Sequence, residues 1–181
     1  LLAVPMVVMT VAYWQEQMFY GEVLHESGVL SARLLMLTLA ITPLRMLFPR
    51  ARWPAWFLKR RRWFGVASFA YALQHTVVYL DKKADGSVIL ADGVLPEMWT
   101  GWLALGILML LALSSNDSSV RLLRRSWKRL HRWVYVAAVL AFAHWVLIAF
   151  NFVPALVHLL ILAGLESYRL LRTRRPARAN Q

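Results

Sequence analysis

Six stretches of mostly apolar residues alternate with short polar connectors along this chain, at about residues 1–20, 30–48, 63–80, 98–113, 127–150 and 154–171. Each approaches the roughly 20 residues that a helix needs to cross a bilayer, so the pattern predicts an all-α integral membrane protein, a six-transmembrane-helix bundle. Glu16 and the cluster Tyr13, Trp14 and Tyr20 suggest that the first stretch reaches the interface early. A polar connector follows, with Glu22, His25, Glu26, Ser27 and Gly28. Pro43 falls near the far end of the second helix, where lost backbone bonding is most easily tolerated. Residues 81–96 read as a loop, because Asp85, Gly86, Asp92 and Gly93 are turn formers, with a short surface turn at Val88, Ile89 and Leu90. Pro154 opens the sixth helix, where its missing N–H does no harm. Residues 1–172 are expected to form one membrane domain, and 173–181 a basic, disordered cytoplasmic tail.

Composition agrees with a membrane chain: of 181 residues, 60% are hydrophobic and 17% charged. The absence of cysteine excludes disulfides, zinc–thiolate sites, iron–sulfur clusters and thioether-attached haem. Any metal must rest on other ligands. The first residue is not methionine, so residues upstream of Leu1 are expected to be missing. The first stretch has neither a basic n-region nor a small-residue cleavage site, which predicts a retained helix and not a signal peptide.

The formal charge of +12 raises nucleic acid as a partner, but its distribution follows membrane topology. Residues 45–62, 121–132 and 169–178 hold 18 of the 21 lysines and arginines, leaving only Arg33, Lys82 and Lys83 for the opposite side. Positive loops stay in the cytoplasm, so both termini are expected there, with no nucleic-acid partner and with anionic lipid against the basic loops. Glu22, Glu26, Asp81, Asp85, Asp92 and Glu97 gather on the other face, periplasmic in a bacterium.

Histidine inside a bilayer points to a metal ligand, a proton relay or a substrate contact. His75 lies 13 residues after Arg62, and His144 12 residues after Arg132. At ~1.5 Å per residue both imidazoles reach ~18 to 20 Å from the cytoplasmic boundary, a matched depth that suits one haem between the third and fifth helices. Neither helix offers a carboxylate at that depth, which disfavours a proton relay or metal transporter. His131, 13 residues before His144, is offset by ~19.5 Å along the axis and cannot share that haem. Three readings stay open for it: a second haem, a flavin or quinone contact, or an interfacial hydrogen bond. His25 and His158, near the periplasmic ends of helices, read as interfacial or as contacts to haem propionate or a partner. Arg33 is costly inside the membrane unless it snorkels or meets an anion such as a haem propionate. Gly65 and Gly101 or Gly106 are candidates for close approach of helices or porphyrin.

Three stretches carry a resemblance: HESGVLSARLLMLTLAITPL from His25, RRRWFGVASFAYALQH ending at His75, and SSNDSSVRLLRRSWKRLHRWVYVAAVLAFAH from Ser114 to His144. They resemble the ferric-reductase-like transmembrane family, and within it the MsrQ/YedZ branch of haem-binding membrane subunits of periplasmic methionine sulfoxide reductases. The resemblance implies His75 and His144 as the principal axial pair for haem b iron, His131 at a candidate second site, and Arg61 and Arg62 as the family's basic pair near the cofactor. It further implies FMN as a candidate cofactor, quinol or a cytoplasmic flavin reductase as electron donor, a periplasmic reductase as partner, and the bacterial inner membrane as location. An electron-transfer subunit is thus the leading expectation. The alternatives are a membrane assembly or interaction subunit that keeps the fold, and a transporter.

Overall fold

A computed structural model of the chain describes residues 1–83 and 86–174. Ten α-helices appear among the described residues: α1 (Val4–Trp14), α2 (Tyr20–Leu47), α3 (Trp53–Lys59), α4 (Arg61–Lys83), α5 (Gly86–Gly93), α6 (Pro96–Leu113), α7 (Asp117–Leu123), α8 (Arg125–Leu130), α9 (Val134–Ile148) and α10 (Val153–Arg174). A 3-10 turn over His131–Trp133 joins α8 to α9 in one run. Among the described residues, four helical runs are long and apolar enough to cross a membrane: Tyr20–Leu47, Pro96–Leu113, Arg125–Ile148 and Val153–Thr173. At 23 residues, α4 has the length, ~34 Å, but Arg61, Arg62, Asp81, Lys82 and Lys83 at its two ends dilute its apolar middle. The first apolar stretch yields only the eleven residues of α1, ~16 Å of helix against a hydrocarbon core of ~30 Å. Glu16, at φ 56°, interrupts it with a left-handed turn.

Several expected loops are helical. The connector at 22–28 is the first part of α2, which starts ten residues before the apolar stretch does. Its polar groups are satisfied locally: the Phe19 N–H donates to the Glu22 carboxylate at 3.3 Å, and the Ser27 hydroxyl donates to the Val23 carbonyl at 2.6 Å. The loop expected at 81–96 carries the two turns of α5, while Asp85 lies outside the described residues. The basic segment at 121–132 is also largely helical, with Arg124 at φ 46° turning the chain between α7 and α8. Helix α10 continues to Arg174, so the tail expected from residue 173 lies, from 175 on, outside the described residues.

The bundle is organised as two antiparallel pairs, α2 against α4 and α6 against α9, with α10 closing on α2. Leu35, Leu39, Leu108, Ala137 and Phe142 form the core that joins the pairs, with Phe142 only 1% exposed. Small residues bring α2 and α4 close: the Ser31 hydroxyl donates to the Ser68 carbonyl and the Ser68 hydroxyl to the Ser31 carbonyl, both at 2.9 Å and fully enclosed. Such polar contacts between membrane helices contribute about 0.6 kcal/mol on average and up to about 1.7. Ser68→Ala is therefore expected to destabilise the bundle by about 1 kcal/mol in detergent unfolding, and Ser31→Ala to add a comparable loss, because each hydroxyl donates to the other residue's main-chain carbonyl.

Candidate functional site: two imidazoles across a membrane cavity

A cavity of about 460 Å³ opens between the two helix pairs and is lined from all four helices. That volume lies within the roughly 300 to 1,000 Å³ of small-molecule and cofactor sites. His75 enters from α4 and His144 from α9, and their ring centroids stand 6.2 Å apart with the ring planes at 82°. Two imidazoles bound in trans to one metal require roughly 6 Å between ring centres, from two metal–nitrogen bonds of about 2 Å and the half-widths of two rings.

Each ring is oriented by a main-chain carbonyl of the opposing helix. His75 Nδ1 lies 2.8 Å from the Leu24 carbonyl oxygen, and His144 Nδ1 contacts the Glu97 carbonyl oxygen. A carbonyl only accepts, so each Nδ1 carries the proton and each Nε2 presents its lone pair. This is the arrangement by which a ligating histidine is fixed in tautomer and direction. The same local device serves both rings. Four residues after Leu24 comes Gly28, and four after Glu97 comes Gly101, so in each helix the missing side chain stands beside the accepting carbonyl. A Cβ on Gly28 would come within 3.1 Å of His75 Nδ1, and one on Gly101 within 2.7 Å of His144 Cε1. Each glycine clears a notch for an imidazole. Gly65 meets only the Thr38 methyl at 3.9 Å and Gly106 nothing within 4 Å, so neither serves this site. Gly28 was hidden from the sequence reading because its segment resembled a loop.

The other sequence candidates scatter. His25 lines the cavity near the start of α2, whereas Arg33 is exposed and outside the lining. His158 bonds its own helix at the Pro154 carbonyl, 2.6 Å away, and its ring lies 5.4 Å from that of Trp145, a lining residue. Arg61 and Arg62 start α4, fourteen and thirteen residues before His75, and Arg62 pairs with Asp117 in the connector between α6 and α9. His131 sits at that same end, stacked on Trp127 at 3.9 Å, with Nε2 3.2 Å from the Ser114 hydroxyl. Ser114 follows Gly101 by thirteen residues, ~20 Å along the helix, so His131 is remote from the cavity.

One polar cluster at the cavity was not foreseen. Lys83, on the lining, contacts Asp92 of α5 at 3.0 Å, and the Tyr79 hydroxyl donates to the same carboxylate at 2.9 Å. Lys83 foremost, then Tyr79, holds the Asp92 carboxyl below the usual carboxylate range. The bridge is therefore complete above pH ~4, and it is lost only as pH falls through the depressed value.

A protein-family model described as ferric reductase like transmembrane component matches residues 27–142. The chain belongs to this ferric-reductase-like transmembrane family. It is 37% identical over 162 residues to the protein-methionine-sulfoxide reductase heme-binding subunit MsrQ of Brucella ovis, and equally to those of Brucella canis and Brucella suis. Those alignments cover 84% of this chain and 71% of each relative. No solved structure matches. Within the ferric-reductase-like match fall Gly28, His75 and Gly101, while His144 lies two residues beyond its end. Family membership and the four long apolar helical runs make the chain an integral membrane protein.

Proposed function

We propose that this chain is a b-type haem electron-transfer subunit of the bacterial inner membrane, with one haem held between His75 and His144. The observation that carries the reading is the pair of imidazoles at 6.2 Å, each with Nδ1 committed to a carbonyl, which leaves each Nε2 as the nitrogen available to a metal. A haem held by both His75 and His144 would have no open position for substrate or oxygen and would supply outer-sphere electron transfer. The protein's own contribution is to orient the two rings and to surround the site with apolar wall, which keeps water out. Trp145 on the cavity wall stacks on Phe142 of the core at 6.1 Å, an aromatic contact leading from the cavity toward the basic end.

The wider reading follows the relatives. Six helices form the bundle, α1 and α4 joining the four runs of full spanning character, and both termini are cytoplasmic by the distribution of lysine and arginine. Electrons arrive from quinol or a cytoplasmic flavin reductase and leave to a periplasmic reductase, a reading supported by the Brucella relatives, which are named heme-binding subunits of a protein-methionine-sulfoxide reductase. His131, stacked on Trp127 at the cytoplasmic end, is the place for a second cofactor, haem or FMN. The test is the reduced-minus-oxidised spectrum of the protein purified from membranes. Bands of bis-histidine haem b, reducible by quinol or reduced flavin, are expected, and their absence overturns the reading. Haem that no donor or partner reduces or oxidises would favour an assembly subunit instead.

A further inference from the structure

An apolar cavity that takes an anionic ligand must supply a counter-charge, because an unpaired carboxylate is costly away from water. Among the described residues, Lys83 is the only lysine or arginine on the wall of this cavity, and no aspartate or glutamate lines it. His75, Tyr79 and Lys83 follow one another at four-residue steps along α4 and all face the cavity, which places Lys83 ~12 Å along the helix from the imidazole. Arg33, the arginine expected to serve the propionates, is exposed and absent from the wall. The Lys83 ammonium already touches a carboxylate, that of Asp92, which stands off the wall on the short helix α5 and is also held by Tyr79. A cation at a cavity's edge, tethered to a carboxylate just outside it, is arranged for exchange of one carboxylate for another.

We propose that Lys83 is the residue that receives a haem carboxylate, giving up Asp92 as the cavity fills. This rests on the haem reading above and adds what selects the ligand's acidic arms. Lys83 here is a positioning residue for the cofactor, and Asp92 is its resting partner. With Asp92 as competitor, the ammonium is neither left bare in the empty cavity nor bound so tightly that a carboxylate cannot displace its partner. The bridge is partly exposed, so the exchange costs little.

The test titrates haem, and separately iron protoporphyrin dimethyl ester, into the full-length apoprotein in detergent, and follows the Soret band. The ester keeps the iron and macrocycle but has no carboxylates. Wild type is expected to bind haem roughly tenfold more tightly than the ester, the scale of one charge-assisted hydrogen bond. Lys83→Gln removes that preference and leaves ester affinity unchanged, whereas Lys83→Arg retains it. Asp92→Asn, which still accepts from Tyr79, tightens haem and leaves the ester unaffected. Equal weakening of both ligands by Lys83→Gln would mean a merely structural role and overturns the proposal, as does an unchanged preference or a weaker grip on haem in Asp92→Asn. Failure of wild type to bind either porphyrin condemns the haem reading itself, so the two failures are distinguishable.

Discussion

Alanine at His75 or at His144 is expected to abolish the b-type haem spectrum of the purified protein, while alanine at His131 leaves the signal of the principal haem in place. The difference follows from placement. His75 and His144 face one another across the cavity at 6.2 Å, and their Nε2 atoms are the lone pairs that the carbonyl bonds leave over. His131 is ~20 Å away along the bundle, engaged with Ser114 and Trp127. Removing one of the two imidazoles would leave the haem without that ligand, and among the described wall residues, which are chiefly apolar, His25 near the start of α2 is the one other imidazole. Free imidazole added to the His144→Ala protein should restore part of the spectrum, which separates a lost ligand from a lost fold. Bis-histidine bands that persist in both single variants would assign the iron to other residues.

Gly101→Ala is the second large effect. Its Cβ would stand 2.7 Å from His144 Cε1 and 2.8 Å from Nδ1, closer than such atoms approach, and the ring cannot retreat without giving up the Glu97 carbonyl. Overpacking of this kind costs about 1 to 3 kcal/mol, enough to lower haem affinity roughly ten- to a hundredfold. Gly28→Ala, with 3.1 Å to His75 Nδ1, should give a milder loss. Gly106→Ala, where a Cβ meets nothing within 4 Å, should leave haem content intact and stiffen α6 by up to about 1 kcal/mol of helix propensity. The haem-to-protein ratio, measured with thermal unfolding across the three variants, checks that order. Equal losses at Gly101 and Gly106 would remove the notch as the cause.

The depth of His75 and His144 was legible because axial position in a helix is arithmetic, ~1.5 Å per residue from a charged boundary, and their meeting in one cavity agrees with it. Rotation about each axis was not legible. Arg33 sits at a depth suited to an anion, yet its side of α2 is turned from the cavity, and only the mutual phase of packed helices settles that. Polarity also misled in the segment 22–28. Serine and glutamate there bond to their own backbone, so they begin a helix as readily as they form a loop. Lys83 looked like a minor exception to the charge asymmetry and proved to be a wall residue, because α4 stays helical for three residues past Leu80 and carries the lysine onto the face of His75. Family membership was legible from motif strings, which contain Gly28, His75 and His144 of the cavity but not Gly101.

The notch that seats each imidazole uses a main-chain oxygen and an absent side chain, so the residue supplying the oxygen is free to be leucine in one case and glutamate in the other. Each half of the chain repeats one plan: a helix running inward with a glycine four residues after its accepting carbonyl, then a helix returning with the histidine that lies there. Sequence drift can erase nearly all likeness between such halves while their geometry persists. A forerunner of half this length, paired with its own copy about a twofold axis, would bring two imidazoles face to face with no device beyond one glycine, one carbonyl and one histidine.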